Sequence, residues 1–220
     1  MTKRSGILAY GAYVPRRRLQ RSAIHAINSW FAPGLGGLAK GEKAISGWDE
    51  DSITMAVEAG RDCLSGIDRT SVDSIALAST TLPFADRQNA AVAKEALSLR
   101  DDVRSLDFAG SLRAGISALA DALDGGSTKL CLASDRRKAR PGSEAEMQIG
   151  DGAAGVLVGK GDVVAECLGS HSETVDFVDH FRAAGEEFDY HWENRWIRDE
   201  GYVAILGEAV KNALASFGTD

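Results

Sequence analysis

Val103-Arg104-Ser105-Leu106-Asp107-Phe108-Ala109-Gly110-Ser111-Leu112-Arg113-Ala114-Gly115 reads as a strand, a loop of small residues and the start of a helix. Residues 103–108 are the strand. Over 111–123 the apolar side chains Leu112, Ile116, Leu119 and Leu123 recur at helical spacing. The same alternation extends in both directions. Towards the N-terminus, 72–78 is an apolar strand without strict alternation, as expected when both faces are covered, and 86–97 is a helix. Towards the C-terminus, 129–134 is a strand, and 153–159 and 163–168 are two more. Only Lys160-Gly161-Asp162 separates that last pair, which predicts a hairpin or at least adjacent strands.

Further out, Asp51 or Ser52 caps a helix running to Leu64, with Ile53, Ala56, Val57 and Gly60 at helical spacing. Residues 6–14 form a first strand, 20–28 a short helix, and the Gly-rich segment 30–47 a loop. Strands alternating with helices of this length predict an α/β fold: a mostly parallel mixed sheet with helices on both faces. Residues 170–198 are polar and aromatic with little periodicity, and a last helix spans 200–215. The expected division is 1–170 as one domain and 171–220 as an excursion beyond it.

The 220 residues, 44% hydrophobic and 26% charged, suffice for one buried core and exclude a disordered chain. No apolar run approaches the roughly 18 residues of a membrane span, and the N-terminus lacks a signal-type apolar core. A cytoplasmic protein is expected. Cys63, Cys131 and Cys167 form no Cys-x-x-Cys pair, and His25, His171, His180 and His191 no His-x-x-x-His pair, so neither a disulfide framework nor a metal site is expected. The first 40 residues carry seven basic side chains and no acid, against 18 basic and 32 acidic residues in the remainder. Such a strip suits a phosphorylated small molecule, although a solvated loop explains it as well; a nucleic-acid domain would be basic throughout.

Three strand-to-helix junctions are placed for chemistry, because helix N-termini there present free N–H groups. They are Ser79-Thr80-Thr81, Gly110-Ser111-Leu112-Arg113, and the basic run Asp135-Arg136-Arg137-Lys138. Around them the chain resembles the N-terminal half of the thiolase superfamily, in the branch of hydroxymethylglutaryl-CoA synthase and ketoacyl synthase III. The resemblance rests on Gly6-Ile7-Leu8-Ala9-Tyr10-Gly11-Ala12-Tyr13-Val14-Pro15-Arg16, on Trp48-Asp49-Glu50-Asp51-Ser52, on Ile149-Gly150-Asp151-Gly152-Ala153-Ala154-Gly155, and on the segment 170–202. It implies a thiolase-like fold, one half of an αβαβα arrangement, with coenzyme A as substrate carrier and no covalently bound cofactor.

The resemblance also exposes two departures. In that branch a cysteine, five residues after the strand-ending aspartate, accepts the acyl group; here Leu112 stands five residues after Asp107. The branch carries a glutamate general acid where the register gives Thr80. Leucine holds no acyl group, and threonine delivers no proton at neutral pH as a carboxylic acid does. The branch's catalytic histidine lies in a second half, so the resemblance implies a fragment of a longer polypeptide or one subunit of a split enzyme. The stripe Leu112, Ile116, Leu119 and Leu123 would then need a partner surface.

Ser111 is either a replacement nucleophile or a helix cap, and the cap is the cheaper reading. Thr80 and Thr81 either hydrogen-bond a thioester carbonyl or satisfy backbone groups. Asp151 reads as a turn residue. His180, His191 and Glu193 lie among aromatics that line a tunnel, cover a partner or simply pack. Candidate CoA ligands are Arg16, Arg17, Lys40, Lys43 and Arg113 for the phosphates and Trp30 for the adenine. The expected function is carbon–carbon bond formation or retro-aldol cleavage on an acyl-CoA, in a homo- or hetero-oligomer, with a zinc-ribbon/OB-fold protein as one candidate partner and neither nucleic acid nor membrane involved. The alternative is a non-catalytic CoA-binding subunit.

Overall fold

The computed structural model describes residues 4–217. The chain divides into two compact units, one built from residues up to Arg137 with Pro141–Cys167, the other from Lys138–Arg140 and the residues from Leu168 on.

In the first unit a six-stranded sheet has the order β5-β4-β6-β7-β1-β8. These strands are β1 (Arg4–Tyr13), β4 (Ser74–Ala78), β5 (Arg104–Phe108), β6 (Lys129–Asp135), β7 (Gly152–Gly161) and β8 (Ala165–Glu166). β4 pairs in parallel with β5 and β6, whereas β6–β7, β7–β1 and β1–β8 are antiparallel, so the sheet is mixed. The expected hairpin between the last two strands does not form. Both edges of β7 are already taken by β6 and β1, and residues 165–166 pair instead with the other edge of β1, where Val164 N–H donates to the Ile7 carbonyl at 2.8 Å.

Alternation along the strands sorts side chains onto two faces. Ile75, Leu77, Leu130, Leu132 and Leu157 pack with helices α2 (Ser52–Cys63) and α3 (Asn89–Ala96) on one face. Ala76, Ala78, Cys131 and Val158 meet Ala114, Ala118 and Ala122 of α4 (Ala114–Asp124) on the other. That second face is thin: alanines four apart let α4 lie close to the sheet with Leu119 and Leu123 partly buried against it, so the predicted stripe divides and only its N-terminal part faces outward. Leu112 is 49% exposed and Ile116 63%. On the first face α2 presses on β1 at Gly11, where a Cβ would stand 2.2 Å from the Cys63 nitrogen, so only glycine fits.

Local chemistry sets the helix starts. Asp51 and Thr54 cap α2 reciprocally, the Asp51 carboxylate accepting from Thr54 N at 2.8 Å while Thr54 Oγ1 accepts from Asp51 N at 2.7 Å. α3 begins three residues later than its pattern predicts. Its cap is borrowed from β5: Asp107 accepts from Asn89 N at 2.8 Å and Ala90 N at 2.7 Å. The predicted loop 30–47 contains a 3₁₀ turn at Pro33–Leu38 and strand β3 (Glu42–Ile45), which pairs with β2 (Arg17–Gln20) in an antiparallel ribbon flanking helix α1 (Arg21–Asn28). A short helix α5 (Glu144–Gln148) precedes β7.

The second unit holds a hairpin of β9 (His180–Phe181) and β10 (Tyr190–His191). A helical run follows, longer than predicted: α6 (Asn194–Trp196), a π-helical stretch Ile197–Leu206, and α7 (Gly207–Phe217). No helix among the described residues is long and apolar enough to cross a membrane.

Candidate functional site

The C-terminal ends of the parallel strands β4 and β5 open onto a cavity of about 300 Å³ whose walls include Thr80, Phe84, Arg87, Asn89, Asp107 and Gly110. Gly110 takes a φ of +82°, letting the chain turn sharply between β5 and α4. Asn89 and Asp107 shape the floor. Asn89 Nδ2 donates to the Phe84 carbonyl at 3.0 Å and to Asp107 at 3.1 Å, and Asn89 Oδ1 accepts from Phe84 N at 3.2 Å. Phe84 in turn lies under the Arg87 guanidinium at 4.8 Å.

Thr80 lies on the cavity wall, and its environment is dominated by a residue the sequence reading placed only at the start of a basic loop. Asp135, at the end of β6, accepts on one oxygen from Ser79 Oγ (3.0 Å), Thr80 N (2.8 Å), Thr80 Oγ1 (2.9 Å) and Thr81 Oγ1 (3.1 Å). Arg136 N also donates to Thr81 Oγ1 at 2.9 Å. The Thr80–Thr81 hydroxyls are thus held by a carboxylate that reaches them across the β4–β6 pairing.

Ser111 is exposed, and its hydroxyl accepts from Arg113 N at 3.1 Å, forming a turn just ahead of α4. α4 itself starts at Ala114, with Arg113 as the flanking residue and no side-chain cap, so Ser111 supports the approach to the helix and is not its N-cap. Arg113 is exposed beside it. The remaining sequence-predicted ligands lie elsewhere, on β2, α1, β3 and their connections. Arg16, Arg17 and Lys40 are exposed; Trp30 is 83% exposed, its ring centroid 4.8 Å from that of Phe31 in an edge-to-face arrangement. Lys43 is half-buried and donates to the Glu146 carbonyl; burial holds its ammonium below the ordinary lysine range. Glu146 Oε2 also takes Asn28 Nδ2 at 2.9 Å and Gly142 N at 2.7 Å, so it gathers α1, β3 and the loop before α5.

Asp151, expected as a turn residue, instead ties its strand to a distant segment: its carboxylate accepts from Ser46 N at 2.8 Å and its own N–H donates to the Ala44 carbonyl at 3.1 Å. Glu193 caps α6 through Arg195 N and Trp196 N, so its carboxylate is committed to a helix end. Tyr13 donates to Glu50, which also accepts from Gly47 N. These bonds hold the Glu50 carboxyl below, and the Tyr13 phenol above, their ordinary ranges. Burial pushes the Cys63 thiol up to about 11 and the Cys131 thiol up to about 12, which removes both as nucleophiles. Among the described residues no three His, Cys, Asp or Glu side chains gather as a metal cluster.

This layout is the thiolase-like one. The chain superposes on a hydroxymethylglutaryl-CoA synthase complexed with CoA with a TM-score of 0.83 at 20% identity, covering 99% of this chain and 57% of that one. It superposes on a 3-oxoacyl-(acyl-carrier-protein) synthase III with a TM-score of 0.80 at 16% identity, covering 99% and 75%. No protein-family model matches. Sequence shows the same likeness. The hydroxymethylglutaryl-CoA synthase of Pyrococcus horikoshii is 32% identical over 97% of this chain and 62% of its own length, and that of Methanocaldococcus jannaschii 29% identical over 98% and 64%. By sequence, then, the chain is similar to hydroxymethylglutaryl-CoA synthases, and by fold to these and to 3-oxoacyl-(acyl-carrier-protein) synthase III. It spans about three fifths of the length of those relatives.

Proposed function

We propose that the chain contributes the N-terminal part of an acyl-CoA-binding site and supplies no covalent acyl acceptor of its own. The observation that carries this reading is Leu112: on the family register it stands at the acyl-accepting position, half-exposed at the mouth of α4, and a hydrocarbon side chain forms no thioester. Its neighbour Ser111 has, among the described residues, no acid or base side chain hydrogen-bonded to it. Thr80, at the register of the general acid, has its hydroxyl tied to Asp135. Chemistry compatible with these residues is aldol or retro-aldol change on a 3-hydroxyacyl-CoA, which needs enolate stabilisation and proton transfer but no acyl-enzyme. The base would come from residues beyond this chain, on a second half or a partner whose apolar surface covers Leu112 and Ile116. Arg16, Arg17, Lys40, Lys43 and Arg113 serve the CoA phosphates and Trp30 its adenine.

The joint loss of nucleophile and acid also favours a second reading, a CoA-binding subunit without turnover. Calorimetric titration with CoA and acetyl-CoA at low and moderate salt tests the shared part. Binding that weakens with salt supports a phosphate-recognising site, and none by a folded chain overturns it. Intact mass after incubation with acetyl-CoA tests the rest: unchanged mass is expected, and a stoichiometric acyl adduct would overturn the non-covalent reading. Turnover of a 3-hydroxyacyl-CoA by the chain together with a candidate second half or partner separates the two readings.

A further inference from the structure

Spacing along the chain points to no metal site, but pairing across the β9–β10 hairpin brings two imidazoles together. His180 and His191 are register partners, and Trp192 N donates to the Asp179 carbonyl at 3.0 Å, which makes the adjoining Asp179–Trp192 pair the hydrogen-bonded one. His180 and His191 therefore occupy the non-hydrogen-bonded position, where facing side chains stand closest, with Cα atoms about 4.5 Å apart. Their rings stack at 25° with centroids 5.7 Å apart. Phe181, Tyr190 and Trp192 occupy the opposite side of the ribbon, in contact with one another.

One imidazole is already oriented. His180 Nδ1 lies 2.7 Å from Asp179 Oδ1, so a proton on Nδ1 is held by the carboxylate and the lone pair is left on Nε2. A carboxylate behind the distal nitrogen of a histidine is the usual support for a metal-ligating imidazole. The next pair on the same side, Arg182 and Asp189, is an ion pair at 3.7 Å, so the arginine charge is neutralised before it reaches the histidines. Two Zn–N bonds of about 2.1 Å at a tetrahedral angle put the nitrogens about 3.4 Å apart, so the rings, stacked with centroids 5.7 Å apart, must rotate for their lone pairs to converge, and the exposed His191 is the ring with room to turn.

We propose that the β9–β10 hairpin chelates one divalent transition-metal ion, such as Zn²⁺, through His180 Nε2 and His191, with solvent completing the shell and Asp179 as the positioning residue. Imidazole pairs suit Zn²⁺, Cu²⁺ and Ni²⁺ and do not suit Mg²⁺ or Ca²⁺. The ion would clamp a hairpin of only two residues per strand, too short for independent stability.

The test is titration of the untagged, metal-stripped full chain with Zn²⁺ by calorimetry, with Cu²⁺ electron paramagnetic resonance as a ligand count. One equivalent is expected, weakened at least tenfold in both His180→Gln and His191→Gln, with the Cu²⁺ spectrum losing one nitrogen. Asp179→Asn weakens it while both nitrogens remain, and His171→Gln leaves it unchanged. His191 is exposed, so its substitution preserves the circular dichroism spectrum and keeps the comparison clean. Absence of binding by the parent chain, or binding that survives loss of both His180 and His191, overturns the proposal.

Discussion

Replacing Asp135 by alanine removes the acceptor shared by Ser79, Thr80 and Thr81. Four donors lose one charged partner. The two threonine hydroxyls can turn to water, but Ser79 is only 2% exposed and the Thr80 N–H has its bond fixed by the chain direction. A net value of about 1 kcal/mol for an ordinary hydrogen bond, rising to about 1.5–3 for one to a charged group, gives a loss of about 2–4 kcal/mol, because one carboxylate does not count four times over. For a chain of this size that corresponds to a fall of roughly 5–15 °C in Tm. Asp135→Asn keeps a carbonyl oxygen at the same place and loses only the charge, so it costs about 1 kcal/mol. Thermal melts of the three proteins, with hydrogen exchange at the Thr80 amide, make the comparison. The amide should exchange slowly in the parent and fast in Asp135→Ala. An alanine variant melting within about 2 °C of the parent, or one indistinguishable from the asparagine variant, would refute the view that this carboxylate builds the loop.

Gly11→Ala drives a Cβ to 2.2 Å from the Cys63 nitrogen, a contact no side-chain rotation relieves, and should cost about 3 kcal/mol or more in a urea melt, far above an exposed Gly→Ala change such as Gly66 with its φ of +74°. Titration with a thiol reagent at pH 8 should leave Cys63 and Cys131 unmodified in the folded chain and modify all three cysteines in denaturant, and CoA should protect none of them. Tyr13→Phe should cost about 1 kcal/mol near neutral pH. The Glu50 carboxyl is depressed in the folded state, so its share is present above the ordinary carboxylate range and disappears as pH falls through the folded value; the parent and Tyr13→Phe stability curves should therefore converge in acid.

Much of the fold is legible in local sequence, because strands and helices that bury one face must repeat their apolar residues at the period of that face. The central strands, the Asp51 cap and the α4 stripe are all readable that way. So is the place of the candidate site, since the ends of parallel strands are where backbone donors collect. Several of the misreadings share one cause: each depended on a partner distant in sequence. α3 starts at Asn89 because Asp107 caps it from another strand. Residues 165–166 join β1 because β7 has no free edge. The segment 30–47 holds a strand because β2 is there to pair with it. Asp135 is missed for the same reason, as its four donors lie 54 to 56 positions away.

Composition, periodicity and capping residues by themselves determined the α/β class, the order of the main elements, and the position where a leucine stands five residues after Asp107. Only the tertiary structure decided which carboxylate holds the Thr80 loop, that Leu112 and Ile116 stay exposed while Leu119 and Leu123 pack on the sheet, and which two histidines meet. Backbone propensity and apolar period act over a few residues and are written along the chain. Hydrogen bonds to a carboxylate, sheet edges and cross-strand pairs act through space, and their partners are set only when the sheet has formed.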